Sequence, residues 1–431
     1  MTKNLRFIII SFCAFAFTTM TAHAASFGNF DPRSLAMGGT GVSSANIDHA
    51  AYYNPALLSV AEEDDDFSLL APTLGARAFD PKELLDALEA YQDGQYETTF
   101  NNAIDTFNAA APADKSATAA DVVSAAEQLL NGLNSISNKA LDFEIHAGVN
   151  LAVPGKSLGL GVVASGRAMA GISLDITAHD TGLIQRYIDT LNWVATGTGT
   201  PDLTLYNTGT QQFVDPEGTM TSTANLKGAY IIEGGLALSH EFESLDNISI
   251  GITPKTVQVT TFDYSIGVEK AETDSGAADT GELEYSDSNI DIGIAKKLGE
   301  NWKVGFVTKN VISKEYKTVL GNTIEVKPQS RVGISHHTNW TVLALDVDVT
   351  KNKSIGYTAE KTRFVALGAE LDFSLLQLRL GYRHNLSAEG GAESGIASAG
   401  VGLYILGLHI DAGVAGNGDE AEAALQLGIQ F

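Results

Sequence analysis

The amino-acid sequence predicts an all-β fold: a transmembrane β-barrel of about fourteen antiparallel strands, with a helical insertion after the first strand. Three observations support this prediction. About fourteen segments alternate apolar residues with small or polar ones, the links between them alternate between short and long, and the N-terminus has the form of an export signal. A period of two residues turns one face of a strand toward lipid and the other toward the barrel interior.

The first 24 residues predict a secretory signal peptide. Lys3 and Arg6 flank the start of an apolar run over 7–17, and Ala22-His23-Ala24 has the small-x-small form of a cleavage site. The run is shorter than the roughly 20 residues that a membrane-spanning helix needs. Cys13, the single cysteine, lies in this run. Residues 25–431 therefore hold no disulfide and no thiolate metal site.

Charge restricts the classes of partner. The full chain has a formal net charge of -25, and removal of Lys3 and Arg6 leaves 25 Lys and Arg against 52 Asp and Glu, or -27. Nucleic-acid binding needs a basic surface, so we expect no direct nucleic-acid contact. We also expect no membrane-spanning helix after residue 24.

The alternating segments define the barrel, which we place at 66–431. The predicted strands cover 66–77, 142–153, 158–176, 221–242, 247–268, 283–297, 302–313, 326–337, 340–351, 361–373, 377–386, 394–404, 408–415 and 421–431. Starting upward from residue 66, every short link falls at one end and every long link at the other. Outer-membrane barrels have short periplasmic turns and long outer loops, so the short links indicate the periplasmic end.

Single strands show which face each residue occupies. In 142–153 the apolar positions would face lipid, while Glu144, His146 and Asn150 face inward. A charge on the lipid side costs about 2–4 kcal/mol at the midplane, so the register is strongly determined. The last strand ends on Phe431. A C-terminal aromatic resembles the signal that the barrel assembly machinery reads in bacterial outer-membrane proteins, and implies that role for Phe431.

The first long link, residues 78–141, predicts a helical extracellular insertion. Asp80-Pro81-Lys82-Glu83 has an N-cap, a proline at the first helical position and an acid two residues later, followed by leucines at helical spacing. A second start lies at 118–121. The apolar stripes must pack on each other or on the barrel mouth. Residues 183–194 predict a further helix.

The N-terminal segment, residues 25–65, carries the family resemblance. It contains a glycine-rich stretch followed by an Asn-Pro-Ala motif, at Arg33, Met37, Gly38, Gly39, Gly41, Asn54, Pro55 and Ala56. This resembles the start of FadL-like outer-membrane barrels, in which the segment is a plug inside the lumen. Glycine suits a plug because it permits close backbone contact and positive φ.

Within that superfamily the chain is similar to the conjugal-transfer TraF-type barrel proteins of plasmids and integrative elements. The similarity rests on the helical insertion, the long middle loops and later strand motifs such as 327–334, 345–349, 367–370 and 380–383. A cysteine-free chain after residue 24 excludes the thioredoxin-like protein that shares the TraF name. The resemblance implies a role in conjugal transfer and a location in the bacterial cell outer membrane.

The candidate site is a polar network inside the lumen. The alternation places ten side chains on inward faces: Arg331, Ser335, Asp346, Asp348, Glu370, Asp372, Arg379, Arg383, His409 and Asp411. Inward charges need partners, so these residues form either an ion-pair network that fills the barrel and holds the plug, or a polar conduit. Opposite charges on adjacent strands favour a filled lumen. Gly166-Arg167 marks either a lateral exit, as in FadL-like transporters, or ordinary barrel curvature.

No pattern indicates catalysis. The histidines lack zinc spacing, Gly155-Lys156-Ser157 lacks the earlier glycine of a phosphate loop, and no G-x-S-x-G motif occurs. We therefore expect a non-enzyme with no catalytic residue, no metal and no cofactor. The expected partners are outer-membrane lipid, lipopolysaccharide, the barrel assembly machinery and other conjugation proteins.

Three functions remain open from the sequence. The first is a structural or surface component of the mating apparatus. The second is a FadL-like transporter of fatty acids or other hydrophobic molecules, with a hydrophobic ligand held in an apolar groove of the helical insertion. The third is a periplasm-facing secretion shuttle or scaffold, which would contact partners through the short turns.

Overall fold

Fourteen antiparallel strands close into one barrel in the computed structural model, which describes residues 31–60, 66–214, 219–267, 281–389 and 392–430. Each strand pairs with its sequence neighbours, and the last pairs with the first. The strands are β1 Ser68–Phe79, β2 Ala140–Val153, β3 Gly159–Asp175, β4 Thr223–Phe242, β5 Ile248–Gly267, β6 Glu282–Leu298, β7 Trp302–Lys309, β8 Gln329–His337, β9 Thr341–Asp348, β10 Phe364–Asp372, β11 Leu376–Asn385, β12 Gly395–Ile405, β13 Leu408–Gly416 and β14 Glu420–Gln430.

The predicted fold class is confirmed, and strand boundaries differ from prediction by a few residues at most ends. The largest difference concerns β7, which was predicted to extend to residue 313 and ends at Lys309. The predicted signal peptide, Phe431 and both ends of the predicted plug, 25–30 and 61–65, lie outside the described residues.

Alternating burial follows the predicted faces. In β2, Ile145 is 57% exposed whereas the next residue, His146, is 4% exposed. In β9, Leu343 is 54% exposed and Asp346 is 1% exposed. The exposed apolar side chains form a continuous outer surface, and the polar ones point into the lumen.

The two ends of the barrel differ in their connections. At one end the turns are short and cover 154–158, 243–247, 299–301, 338–340, 373–375 and 406–407. We call this the short-turn end. The opposite, long-link end carries the connections 80–139, 176–222, 310–328 and 349–363. Within the described part of the chain, these connections hold all of the α-helices outside the lumen.

The N-terminal segment lies inside the barrel. It forms α1 at Pro32–Ala36, α2 at Ile47–Tyr53 and a 3-10 turn at Pro55–Ser59, and nearly all of its side chains are buried. Asp31 caps α1 by accepting a hydrogen bond from Ser34 N at 2.7 Å, and Pro32 occupies the first helical position.

The long-link end carries a helical layer of four helices: α3 Leu84–Gly94, α4 Tyr96–Ala109, α5 Lys115–Ile136 and α6 Ala178–Thr196. Their apolar stripes pack on one another, with Leu129 and Leu133 of α5 against Ile184 and Ile188 of α6. Helix α3 begins at Leu84 and not at Pro81, where the sequence pattern predicted its start. Asp80 nevertheless caps it, because its carboxylate accepts hydrogen bonds from Leu84 N and Leu85 N at 2.7 and 2.9 Å.

The sequence pattern did not predict α4 as a separate helix. Among the described residues, no helix is both long enough and apolar enough to cross a membrane.

Two long links fold back over the lumen. The hairpin 314–326 inserts Tyr316, Ile324 and Val326 among inward-facing apolar side chains of the strands. The loop 349–363, which we call the strap, starts between β9 and β10 and reaches β2 on the far side. There Asp142 accepts hydrogen bonds from Tyr357 N at 2.8 Å and Thr358 N at 3.2 Å.

Candidate functional site

A belt of glycines on the inner wall makes room for the plug. Four pairs stand directly opposite each other on adjacent strands: Gly251 and Gly293, Gly305 and Gly333, Gly368 and Gly381, and Gly400 and Gly413. The plug backbone lies against five of them, Gly251, Gly305, Gly368, Gly381 and Gly413, and plug side chains lie against the other three. A methyl group on Gly381 would lie 2.0 Å from Gly38 N, and one on Gly305 would lie 2.3 Å from Val42 O. A larger residue at either of these two positions would displace the plug.

Side chains of the wall bind the backbone of the glycine-rich stretch. Asp346 accepts hydrogen bonds from Gly41 N at 2.8 Å and from Val42 N at 3.0 Å. Arg331 donates to Gly39 O at 2.8 Å while its Nε pairs with Asp348 at 2.6 Å. Gly38 has φ of +72°, a conformation that side-chain-bearing residues rarely adopt.

The Asn-Pro-Ala motif ties two parts of the plug to the wall. Asn54 donates to Val42 O at 2.9 Å and to Ile294 O at 3.2 Å, and accepts from Ala56 N at 3.1 Å. Its amide fits because the wall residue opposite is Gly293, where a methyl group would lie 1.9 Å from Asn54 Oδ1. Pro55 starts the 3-10 turn that leads to the short-turn end.

A chain of buried ion pairs joins plug and wall at Glu370. Arg33 of α1 donates Nε and Nη2 to the Glu370 carboxylate at 2.9 and 3.0 Å, a two-point contact. The same carboxylate accepts from Arg379 Nε at 2.6 Å, and Arg379 pairs in turn with Asp411. All four side chains are at least 93% buried. Buried charges persist only when paired in this way.

The chain continues from Asp411 to the second plug helix. Asp411 contacts His409 at 2.9 Å and accepts from Gln426 at 3.0 Å. Gln426 contacts His49 Nε2 at 2.9 Å, and the other nitrogen of His49 contacts Asp48 at 2.8 Å. Both plug helices are therefore connected to β10, β11, β13 and β14 through one polar network.

Arg383 belongs to a separate cluster nearer the long-link end. It pairs with Glu420 at 3.0 Å and Glu422 at 2.7 Å. Arg77 contacts Glu420 at 2.6 Å and reaches Glu360 of the strap at 2.7 Å. This cluster fixes the strap to β1, on the side of the mouth opposite the start of the strap.

The structure thus distributes the ten predicted network residues over several groups. Glu370, Arg379, His409 and Asp411 form one group, and Arg331 and Asp348 form a second. Asp346 and Ser335 bind the plug backbone, Ser335 by donating to Ser43 O at 2.9 Å. Arg383 lies in the cluster with Glu420 and Glu422. Asp372 lies at the mouth of the short-turn end, where it is exposed and accepts a hydrogen bond from Ser374 N at 2.7 Å.

All eight predicted plug-motif residues lie in the lumen. The sequence reasoning missed the glycine belt. The sequence did contain a signal for this belt, because each of the eight strands carries a glycine at an inward position near the level of the plug.

A polar vestibule of about 640 Å³ lies beneath the plug at the short-turn end. Its lining includes Arg33, Asp48, Glu370 and Arg379. Within the described residues, no group of three or more His, Cys, Asp or Glu side chains is arranged to hold a metal ion.

The wall shows no interruption at Gly166-Arg167. Strand β3 pairs with β2 and with β4 without a shift of register along its whole length. A shift occurs instead in β1, between Leu70 and Thr73, against both neighbouring strands. The position of Gly166 therefore fits ordinary barrel curvature.

Solved structures that resemble this chain include proteins named as a hydrocarbon channel, a toluene transporter and a FadL homologue. A TodX deltaS2S3 mutant, a monoaromatic hydrocarbon channel, aligns with a TM-score of 0.50 at 12% identity over 92% of this chain and 98% of that one. The Ralstonia pickettii toluene transporter TbuX gives 0.47 at 13% identity, covering 94% and 99%. A Pseudomonas aeruginosa FadL homologue gives 0.47 at 12%, covering 96% and 99%. At such identity the first of these shows the fold alone.

No curated protein matches the sequence. The sequence model of a family described as "F plasmid transfer operon, TraF, protein" matches residues 51–348, which is more than half of the chain. The chain therefore belongs to this TraF family, whose member here is built as a plugged barrel of the FadL-like fold.

Proposed function

We propose that this protein is an outer-membrane barrel that serves conjugal transfer as a closed structural or surface component of the mating apparatus. Family membership supports the conjugation role. The observation that supports the closed state is the fit of the plug: its residues lie against glycines of eight strands, and Arg33 is bound by both carboxylate oxygens of Glu370. A barrel held in this way is suited to presenting surfaces at both ends.

Each exposed surface of the barrel has a proposed partner. Membrane lipid surrounds the apolar wall, lipopolysaccharide meets the helical layer, and other conjugation proteins contact the ends. The barrel assembly machinery would recognise the C-terminal aromatic. We assign no catalytic role and no direct contact with DNA.

A FadL-like transporter of hydrophobic molecules is the second candidate, and one observation favours it. Inward-facing Met169, Ile231, Val257 and Val259 form an apolar patch inside the lumen, covered by the hairpin 314–326. Withdrawal of the hairpin would expose an apolar chamber above the plug. Passage to the short-turn end would still require the plug to move.

Deletion of the gene in a donor cell tests the first candidate. We expect a large loss of mating frequency that is restored by the gene in trans. Unchanged transfer, with reduced uptake of a hydrophobic compound such as a long-chain fatty acid, would instead establish the transporter.

An engineered disulfide between plug and wall distinguishes the two candidate functions further. Ser59 Oγ and Ser239 Oγ are 2.6 Å apart, so Ser59→Cys with Ser239→Cys places two thiols in contact where the periplasm favours oxidation. We expect the disulfide-linked barrel to support mating at the wild-type level. A transporter whose plug must shift would lose uptake when oxidised and regain it with reductant. Each single substitution is the matched control.

A further inference from the structure

Three adjacent turns at the short-turn end carry large apolar side chains at their tips. Trp340 of the turn between β8 and β9 is 59% exposed, Phe373 and Leu375 between β10 and β11 are 55% and 65% exposed, and Leu406 between β12 and β13 is 97% exposed. We call these four residues the apolar rim. The vestibule is lined by other residues of the same turns, such as Asn339 and Ser374.

Leu406 has a backbone conformation that is unfavourable for leucine. Its φ is +52°, and Gly407 follows with φ of +83°, so the turn demands two left-handed residues in succession. Asn-Gly or Asp-Gly is the usual solution in such a hairpin, and a bulky residue there is uncommon. The turn between β4 and β5 shows the ordinary choice, with Asp246 and Asn247 at φ of +62° and +58°. An exposed leucine held in strain calls for a role outside the turn.

Charge divides the short-turn end into two halves. The turns 338–340, 373–375 and 406–407 contain no charged residue. The other three described turns each contain at least one: Lys156, Glu243 with Asp246, and Glu300. The apolar half is continuous with the lipid-facing wall, since Leu371, Leu403 and Leu408 beside it are exposed as well.

Strand length explains why this half needs apolar tips. Strands β9 and β10, which flank rim turns, have 8 and 9 residues, whereas β4 and β5 have 20 each. At about 3.4 Å per residue and a tilt of roughly 40°, eight residues cross only about 20 Å, less than the apolar band of about 25 Å. The adjoining turns must then lie within the membrane boundary.

We propose that the apolar rim is immersed in the interfacial lipid layer at the short-turn end, which anchors the barrel more deeply on its β8–β13 side. Tryptophan is enriched at this depth, and both Trp302 and Trp340 lie here. The inference rests on the proposed membrane placement, but its test is independent of mating.

Site-directed spin labelling in vesicles of phosphatidylethanolamine and phosphatidylglycerol tests this. The single cysteine, Cys13, lies in the predicted signal peptide, so the unsubstituted protein without residues 1–24 is the labelling blank. Labels at Leu406→Cys and Leu375→Cys report the rim, and Asp246→Cys is the matched control because it is also left-handed and its side chain is 92% exposed. Collision with oxygen and with a nickel chelate present on both sides of the membrane measures depth.

We expect the two rim labels to collide with oxygen and to be protected from nickel at least fivefold relative to the label at position 246. Equal nickel access at all three positions would overturn the proposal. Protection at position 406 that appears only in native membranes of conjugating cells, and not in vesicles, would also overturn it and indicate a protein partner. Two rim positions keep the test valid if one variant does not fold.

Discussion

Glu370 is the residue on which the attachment of the plug is concentrated. Its carboxylate serves Arg33 of the plug and Arg379 of the wall, and all three side chains are buried. The alternation of β10 placed this carboxylate inside the barrel. It could not name Arg33 as the partner, because the two lie 337 residues apart and no local pattern connects them.

Glu370→Gln should destabilise the barrel strongly. Two buried guanidinium groups lose their shared counter-charge, and breaking a buried pair costs about 3–5 kcal/mol. Urea unfolding in lipid vesicles measures the free energy of unfolding. Asp372→Asn, two residues away on the same face but exposed, should change it by less than about 0.5 kcal/mol. Equal effects of the two substitutions would contradict the proposed attachment.

Gly381→Ala should displace the plug. The added methyl group would lie 2.0 Å from Gly38 N and 2.3 Å from Met37 C, which are backbone atoms that cannot rotate away. Overpacking costs about 1–3 kcal/mol, and we expect faster proteolysis of residues 31–60. Gly166→Ala is the matched control, since a methyl group there meets nothing within 4 Å. A plug as resistant in the Gly381 variant as in the control would argue against the glycine belt.

At the level of single elements, α6 is fixed to the barrel through its first turn. Asp180 accepts hydrogen bonds from Thr221 N and Ser222 N, just before β4. Burial raises the pKa of Asp180, but hydrogen bonds from Ser222 and Thr221 outweigh it and hold the pKa below its usual value. The helix signature was visible in the sequence, whereas this contact depends on where the link returns to the barrel.

The docking of α6 should therefore depend on pH. A carboxylate whose pKa is lowered in the folded state stabilises that state fully at pH values above its unfolded-state pKa of about 3.9. This stabilisation is lost as the pH falls through the folded-state pKa. Hydrogen exchange at Thr221 and Ser222 should show protection at pH 6 that declines below about pH 4. Asp180→Asn should lower protection at pH 6 and remove the extra decline. Identical pH profiles for variant and wild type would refute the assignment.

At the scale of the whole molecule, the lumen is closed by separate layers. The plug crosses at the glycine belt, the hairpin 314–326 fills the space above it, and the strap spans the mouth between β9 and β2. Because each layer has its own attachment, loss of the strap should leave the plug in place.

Asp142→Ala should release the part of the strap around Tyr357 without opening the barrel. Hydrogen bonds to a charged group contribute about 1.5–3 kcal/mol, so loss of those from Tyr357 and Thr358 should accelerate protease cleavage near Tyr357 about tenfold or more. Planar-bilayer recordings should show no new conductance. A conductance that rises with the substitution would mean that the strap, and not the plug, is the seal.

The sequence by itself determined the barrel, its fourteen strands, their inward and outward faces and the two kinds of end. These properties depend on a two-residue period and on link lengths, both of which are local. Only the tertiary structure decided which glycines receive the plug, which arginine Glu370 binds and where the strap attaches. Those contacts join segments hundreds of residues apart, and closure of the barrel brings them together across a lumen whose register the whole sheet sets.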